Sequence, residues 1–201
     1  MSEIPYNPLD KRSLADSVMK AMLERPVSML PPSDQFIGAG IYAIYYVGDY
    51  PLYSYITERN KGEQYNQPIY VGKAVPAGAR KGGFNLETGS VLYKRLTEHA
   101  ESVRQVENLD LNDFRCRYLV VDDIWIPLGE SLLIDMFQPI WNKIIDGFGN
   151  HDPGSGRSNQ QVSRWDVLHP GRGWATRLRS RNESKEEMIN KIQAYIEEVQ
   201  S

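Results

Sequence analysis

An arginine and a histidine stand four residues apart, at Arg95 and His99, in a stretch whose apolar spacing predicts a helix over 90–105. Residues four apart lie on the same helix face, one turn from each other. An arginine fork and an imidazole on one face suit a phosphodiester, because arginine stabilises developing negative charge and histidine transfers a proton. Such pairs are also common on solvated helix faces, so the spacing alone does not indicate an active site without further functional groups.

A lone carboxylate, Glu130, is a candidate ligand for a hard cation. Pro127 favours the first turn of a second predicted helix, which runs to residue 137, and Glu130 is expected in that first turn. A carboxylate there also suits the positive end of the helix dipole, which is the alternative explanation. Glu130 nevertheless continues the apolar stripe of Leu133 and Phe137, so it emerges from a buried face. A carboxylate aimed into a site is what Mg²⁺ requires.

Two short stretches place tyrosine beside glycine, "GIYAIYYV" at 40–47 and "PIYVG" at 68–72. Their β-branched and aromatic residues predict strands. Tyrosine packs well in strands, but Tyr42 and Tyr70 could instead be held at one end of a sheet for chemistry. Lys73 follows directly and could lower the pKa of a nearby phenol. For Asn142, in "QPIWN", the simplest explanation is that it ends a helix.

The elements that must position these residues form a small α/β arrangement. A third strand is predicted at 115–121, and amphipathic helices are predicted at 13–24 and 184–199. Residues 48–67 are expected to hold a short strand and a polar loop, and the glycine-rich residues 74–89 a loop. This order predicts a three-stranded sheet flanked by helices.

Composition excludes two classes of protein. The single cysteine, Cys116, excludes an internal disulfide and suits a reducing compartment. No apolar run approaches the ~20 residues that span a bilayer, and the first residues lack the apolar core of a signal peptide. We therefore expect a cytoplasmic protein that has no membrane partner.

Charge is unevenly distributed along a chain whose net charge is −3. Between 157 and 181, six arginines accompany a single aspartate, and residues 73–95 carry five basic residues and one glutamate. Residues 98–135 hold nine carboxylates and three arginines. Two basic segments on an acidic body indicate a side that faces phosphates. Chance clustering on a polar surface would give the same pattern.

Taken together, these residues resemble the ordered signature of the GIY-YIG nucleases. The chain carries in the family's order "GIY" at 40–42, "YVG" at 70–72, Arg95, His99, Glu130 and Asn142. The resemblance covers 36–145. The chain departs from the family pattern in having "YVG" for "YIG", and the insert at 48–67 lengthens the spacing between the two motifs.

The resemblance implies the fold of that family, a small three-stranded antiparallel-type sheet flanked by helices. It divides the chain into an N-terminal arm and a catalytic domain with inserted loops, followed by a basic DNA-binding extension with a terminal helix. The corresponding ranges are 1–35, 36–145 with insertions at 48–67 and 74–89, and 146–201.

The resemblance also implies a division of roles at the site. One Mg²⁺ on Glu130, for which Mn²⁺ could substitute, would hold the scissile phosphate and help the leaving oxygen depart. Arg95 would bind a phosphate oxygen and stabilise the extra charge of the transition state. The family's terminal asparagine corresponds to Asn142.

The base that activates water is left open between two residues. Tyr42 would position or deprotonate the attacking water, with Tyr70 and Lys73 arranging it. An ordinary phenol pKa near ~10 is high for a base, so some perturbation is required. His99 is the alternative base.

The arm, the inserted loops and the basic tail most resemble type II restriction endonucleases that act on GC-rich palindromes such as CCGCGG. Cutting both strands of a palindrome calls for two sites related by a twofold axis, which predicts a homodimer on double-stranded DNA. The arm and the terminal helix are the expected interface.

Reading G·C pairs calls for arginine or lysine forked onto guanine. Arg164 and Arg172 are expected among the residues that read bases, and contact with phosphates alone is the alternative. The full set of expected DNA contacts is Arg80, Lys81, Arg157, Arg164, Arg172, Arg177, Arg179 and Arg181.

Other classes fit less well. A structure-specific repair endonuclease of the same superfamily is usually compact and part of a larger enzyme. A PD-(D/E)xK nuclease needs a lysine that does not follow "VVDD" at 120–123, and "GNHD" at 149–152 lacks the rest of an HNH motif and suits a turn. A noncatalytic DNA-binding module explains the arginines but not Glu130 together with the paired tyrosines.

Overall fold

A computed structural model describes residues 7, 10–76, 88–154 and 160–200 of the chain. In this part of the chain one antiparallel sheet has the strand order β1–β4–β2–β3. Its strands are β1 (Ser28–Met29), β2 (Gly40–Tyr46), β3 (Pro68–Ala74) and β4 (Phe114–Val120). The helices are α1 (Lys11–Leu23), α2 (Ser54–Asn60), α3 (Val91–Arg104), α4 (Ile126–Phe137), α5 (Ile140–Lys143), α6 (Arg164–Leu168) and α7 (Lys185–Gln200).

The antiparallel sheet flanked by helices is confirmed, and it gains one strand that the sequence pattern did not predict. The short strand β1 comes from the segment after α1 and pairs Ser28 with Cys116 and Met29 with Arg115. Two residues are too few to show an alternating pattern, so β1 has no periodic signal in the sequence.

Strand β2 is central and buried along its whole length, because both faces of the sheet are covered. Successive side chains of a strand point to opposite faces. One face packs on α3, α5 and the C-terminal helices and carries Tyr42, Ile44 and Tyr46. The other packs on α1 and α4 and carries Ile41, Ala43 and Tyr45. A strand buried on both faces reads as a continuous apolar and aromatic run, as this one does.

The insert between β2 and β3 is helical, so the short strand expected within 48–67 was wrong. Helix α2 occupies Ser54–Asn60 and buries Ile56. Its last residue, Asn60, donates from Nδ2 to the carbonyls of Tyr46 and Gln67 at 3.0 and 2.9 Å, and accepts from the Gln67 amide at 2.9 Å. A buried amide side chain thus satisfies backbone groups that a strand would otherwise have paired.

The segment beyond residue 160 packs into the same core as the sheet. Trp165 and Leu168 of α6, and Met188 and Ile192 of α7, belong to the buried cluster that contains Tyr42. The described part of the C-terminal extension therefore supports the sheet face that carries the motif tyrosine. Among the described residues, no helix combines the length and apolar character that crossing a bilayer requires.

Candidate active site

The glycines of the two motifs let the strands approach each other and the tyrosine closely. Tyr42 pairs with Gly72 of β3 across the sheet, and a Cβ at Gly72 would lie 2.4 Å from the Tyr42 hydroxyl oxygen. A Cβ at Gly40 would lie 2.0 Å from the carbonyl oxygen of Leu119 in β4. Both distances are far below van der Waals contact, so "GIY" and "YVG" need glycine for space.

Tyr42 and His99 form a buried pair. The Tyr42 hydroxyl lies 2.6 Å from Nε2 of His99, which α3 presents to the sheet. Burial is the main cause that raises the pKa of Tyr42 well above its usual value. Burial, followed by the nearby Arg95, lowers the pKa of His99 well below its usual value. Both groups are therefore neutral near pH 7, and in the tautomer that carries its hydrogen on Nδ1, His99 accepts the phenolic hydrogen at Nε2.

Tyr70 lies beside this pair and is partly exposed. Its ring centroid is 6.2 Å from that of Tyr42 and 5.3 Å from that of His99. Burial raises the pKa of the Tyr70 hydroxyl, and Arg95 opposes that rise. The two motif tyrosines thus meet the imidazole on one face of the sheet.

Arg95 stands at the edge of the tyrosine pair with 22% of its side chain exposed. Its Nη1 donates to the Glu98 carboxylate at 2.9 Å and to Nε2 of His151 at 2.5 Å. Its Nη2 donates to the carbonyl of Gly149 at 3.0 Å. A cation held in place beside the two motif tyrosines is suited to bind an anionic group that approaches from solvent.

Lys73 and Glu130 form an ion pair that joins β3 to α4. The Lys73 Nζ is 2.6 Å from Oε2 of Glu130, and the two side chains are 39% and 19% exposed. The helix begins at Ile126 and has no acidic residue in its first turn, so the placement of Glu130 in that turn was wrong. Glu130 lies in the second turn of α4, and its carboxylate faces the sheet. The helix dipole acts mainly on the first turn, so it explains the presence of this carboxylate less well.

The Glu130 carboxylate is the group at this site that could hold a divalent cation. Among the described residues, no group of three or more histidines, cysteines, aspartates or glutamates could enclose a metal. Mg²⁺ in phosphate-handling sites needs only one or two protein carboxylates, because waters and substrate phosphate complete its octahedral shell. The charge of Glu130 reaches the tyrosines too: after burial, it is one of the causes that raise the pKa of Tyr70.

Asn142 fixes the backbone of β3 beside the second motif. Its Oδ1 accepts from the Val71 amide at 2.8 Å, and its Nδ2 donates to the Val71 carbonyl at 2.8 Å. Asn142 lies within α5. Val71 stands between Tyr70 and Gly72. This double hydrogen bond therefore fixes the position of the β3 backbone that carries both motif residues.

The structure corrects the expectation that Arg172 reads bases. Its side chain is 1% exposed and forms a 2.6 Å ion pair with Asp166, which is 2% exposed. Its guanidinium lies over the rings of Trp165 and Trp174, with 4.4 and 4.7 Å to the centroids. An arginine that is enclosed in this way presents no fork to the groove of a duplex.

The other arginines of the basic segment differ in how open they are. Arg164 pairs with Glu183 at 2.7 Å, and Arg181 lies 3.5 Å from Asp146, so both are partly committed to protein contacts. Arg177 has 65% of its side chain exposed, and Arg179 is exposed. The expected contacts at Arg80, Lys81 and Arg157 lie outside the described residues.

Phe148 is the site residue that sequence reasoning missed. Its ring stacks on that of His99 at 4.5 Å and 15°, and it meets the Tyr70 ring edge-to-face at 5.1 Å between centroids. It directly precedes "GNHD" at 149–152, for which the sequence predicts only a turn. A lone aromatic residue between two glycines was the available signal, because a ring in a loop needs a core to pack on.

Comparison with known proteins yields one family. The sequence model of the Eco29kI GIY-YIG domain matches residues 34–196. No curated protein sequence matches the chain. The match begins before β2 and extends into α7, so it includes the tyrosine pair, Arg95, Glu130 and most of the C-terminal segment.

Proposed function

The chain belongs to the Eco29kI GIY-YIG family of restriction endonucleases, and we propose that it hydrolyses phosphodiester bonds in both strands of DNA at a short GC-rich palindrome. CCGCGG is the proposed sequence. The observation that carries the proposed activity is the buried pair of Tyr42 and His99, with the charges of Arg95 and Glu130 near enough to act on the pKa of Tyr42.

Tyr42 and His99 act together in the proposed reaction. A phenol whose pKa is raised by burial does not release its proton to water. The hydrogen bond of 2.6 Å gives that proton a neutral acceptor, Nε2 of His99. Tyr42 would take a proton from the attacking water while it passes its own to the imidazole, so neither residue serves as base alone. Tyr70, next to both rings, would orient the water.

Arg95 supplies positive charge where the phosphate is expected. Its guanidinium is held by Glu98, His151 and Gly149, so it is oriented before the substrate arrives. Preorganised donors stabilise the charge that develops on a pentacovalent phosphate without a reorganisation cost during the reaction.

Glu130 would hold a divalent cation, Mg²⁺ or Mn²⁺. When bound there, the cation would neutralise charge on the scissile phosphate and on the departing oxygen. Lys73 neutralises the same carboxylate through their ion pair, and it would move toward the phosphate or the water when the carboxylate is engaged. Asn142 would keep β3 in register beside this carboxylate.

The assembly that we propose is a homodimer, because one site cuts one strand of the duplex. The apolar stripes of α1 and α7 pack in this chain's own core, so α1, within the arm 1–35, and α7 would form the proposed interface through their other faces. The exposed arginines of the basic segment are the proposed DNA contacts. We also infer a cytoplasmic location, where the DNA substrate is available and the single buried Cys116 stays reduced. Sedimentation with and without duplex measures the assembly.

Substitution of Glu130 tests the proposed activity. Wild type with Mg²⁺ is expected to cut a duplex that contains CCGCGG in both strands and to spare a scrambled duplex. Glu130→Gln should bind the same duplex with unchanged affinity and lose cleavage. Asp135→Asn is the matched control, because Asp135 is an exposed carboxylate on the same helix.

Three outcomes would contradict the proposal in different ways. Undiminished cleavage by Glu130→Gln would show that Glu130 does not hold a metal ion that the reaction needs. Nicking of only one strand by a 1:1 complex, or a preference for branched DNA, would favour a repair-type nuclease. Binding without any cleavage by wild type would leave a DNA-binding module. Sequencing the ends produced from a long DNA substrate identifies the site without assuming it.

A further inference from the structure

The site loop, residues 146–151, forms one wall of the candidate active site. Phe148 stacks on the His99 ring at 4.5 Å and is almost fully buried. Stacking at this distance fixes the plane of the imidazole, which must face Tyr42 for the 2.6 Å hydrogen bond. The same ring keeps water away from the imidazole. The position of Phe148 therefore decides both the orientation and the solvation of His99.

Arg172 holds the site loop from behind. Its Nη2 donates to the carbonyl of Gly147 at 2.9 Å. Its Nη1 donates to the carbonyls of Phe148 and Asn150 at 3.2 and 3.1 Å. The remaining Nε donates to Asp166 at 2.6 Å, so the charge stays compensated in the interior. Four hydrogen bonds from one planar fork require arginine, because lysine has a single nitrogen.

The carboxylate that anchors Arg172 is itself fixed. The Ser163 hydroxyl donates to Oδ2 of Asp166 at 2.6 Å, at the start of α6. On the opposite side of the site loop, Arg95 donates to the Gly149 carbonyl at 3.0 Å. The four carbonyls of residues 147 to 150 thus each accept a hydrogen bond from an arginine, three from Arg172 and one from Arg95. A loop containing two glycines would otherwise have many conformations.

We propose that Arg172 and Phe148 are positioning residues of the active site, by which the C-terminal segment holds His99 against Tyr42. The inference rests on the proposed role of Tyr42 and His99 in hydrolysis. The basic segment would then have a second role besides DNA contact. Arg172 would hold the site loop that shields His99, the proton acceptor, from water. The charge of Arg172 also helps to lower the pKa of His99, so the charge-keeping variant Arg172→Lys is the one that separates positioning from loss of charge.

Titration of His99 by NMR tests the positioning role without any cleavage assay. The chain has three histidines, and His151→Gln and His169→Gln assign the imidazole signals. In wild type the His99 signal should stay that of a neutral ring well below pH 6.5, as its lowered pKa requires. Phe148→Leu removes the stacked ring without changing charge, and it should raise the pKa of His99 toward its ordinary value.

Activity provides the second measurement. In Phe148→Leu, kcat should fall on the order of tenfold with KM for DNA unchanged, since general-base contributions are of that size or larger. Phe148→Tyr keeps the ring and should retain the His99 titration and most of kcat. Arg172→Met and Arg172→Lys should both resemble Phe148→Leu, because lysine keeps the charge but cannot bond three carbonyls.

Two buried residues elsewhere serve as matched controls. Phe114→Leu removes a buried ring from β4 that does not touch His99. Arg117→Met removes a buried arginine that donates to the carbonyls of Arg25 and Tyr65. Both should lower stability and leave the His99 titration as in wild type. Folding of each variant is checked by near-ultraviolet circular dichroism.

The results separate this inference from the proposed function. A wild-type His99 pKa in a folded Phe148→Leu variant with unchanged kcat would overturn the inference, even if Arg172→Met fails to fold. Equal shifts of the His99 pKa in the controls would also overturn it, since any loss of packing would then suffice. If wild type cuts no DNA, the proposed function fails, while the titrations still show whether the wall holds His99.

Discussion

The Tyr42 hydroxyl lies 2.6 Å from Nε2 of His99, although the two residues are 57 positions apart in the chain. The imidazole must be neutral to accept the phenolic hydrogen. Its pKa is lowered, mainly by burial, so it remains neutral as the pH falls through the range where an ordinary histidine would be protonated. This pair determines how the reaction should depend on pH.

We expect the single-turnover cleavage rate to show no inflection near pH ~6.5, the value for an unperturbed histidine. The rate should fall only at lower pH, where His99 gains a proton and can no longer accept one. Tyr42→Phe removes the donor, and it should cost about 10²–10⁴ in rate while duplex binding is unchanged. Near-normal turnover by Tyr42→Phe would show that the phenol has no role in proton transfer.

A second buried histidine, His169, contributes to the pH dependence of stability. Nε2 of His169 lies 2.6 Å from the Tyr53 hydroxyl, and burial lowers the pKa of His169 to about 3. The unfolded state therefore binds a proton first as the pH falls. Stability should decline from pH ~6.5 toward 3, by at most about 1.4 kcal/mol per pH unit for this residue.

Urea unfolding at pH 7, 5.5 and 4.5 measures this decline. His169→Gln should be less stable at pH 7 and should show a shallower pH dependence than wild type. His151→Gln, at an exposed position, should keep the wild-type dependence. Parallel pH profiles for wild type and His169→Gln would contradict the linkage.

The glycine of the second motif is expected to tolerate no side chain. Gly72→Ala would place a methyl group 2.4 Å from the Tyr42 hydroxyl, so the phenol would have to leave His99. Cleavage should fall by about 10² or more, as for loss of the proton acceptor. Gly173→Ala is the matched control, since a Cβ there meets nothing within 4 Å. Equal activity of the two variants would mean that the strands separate to admit the methyl group.

The strands and the motif residues could be predicted because their signals are local. The runs around Tyr42 and Tyr70 show strand composition, and Arg95 and His99 share a helix face by spacing alone. The helix α2 has only seven residues, which is too short for a periodic pattern to distinguish it from a loop.

The burial of Arg172 could not be predicted for a different reason. Its segment holds six arginines and one aspartate, so the segment looks like a surface for phosphate. Besides Asp166 and two tryptophans, its partners are main-chain carbonyls more than twenty residues earlier, and carbonyls leave no trace in a sequence. The stacking of Phe148 on His99 is equally a tertiary contact between a loop and a helix.

Removal of Lys73 is expected to strengthen metal binding. Its ammonium competes with a cation for the Glu130 carboxylate, from which it is 2.6 Å away. The pair is partly exposed, so the competition is worth at most about 1 kcal/mol, or about fivefold in affinity. Lys73→Met should therefore bind Mn²⁺ about two- to fivefold more tightly in the absence of DNA, as measured by electron paramagnetic resonance.

Lys73→Arg is the control, because it retains the competing charge and should bind Mn²⁺ as wild type does. Glu130→Gln should lose the signal in either background. Unchanged Mn²⁺ affinity in Lys73→Met, with the signal still dependent on Glu130, would show that the ion pair does not persist in solution.

Arg179 is expected to read a base pair in the proposed site. Its side chain is exposed, so its fork can reach a guanine edge without breaking a core contact. Arg179→Ala should weaken binding by about 1–3 kcal/mol at one base pair of each half-site and relax the preference there. Arg177, exposed but paired with Asp152, is expected to contact phosphate instead. Arg177→Ala should weaken binding to all duplexes alike and reduce the salt dependence.

Binding of both variants to single-base-pair substitutions of the site, at two salt concentrations, separates the two kinds of contact. Arg104→Ala is the control, since Arg104 is a half-exposed arginine in the acidic stretch and pairs with Glu101. It should bind every duplex as wild type does. If Arg179→Ala loses affinity equally for every duplex and its salt dependence falls as in Arg177→Ala, Arg179 contacts phosphate. The C-terminal segment would then position the duplex, and the bases would have to be read by residues elsewhere in the chain.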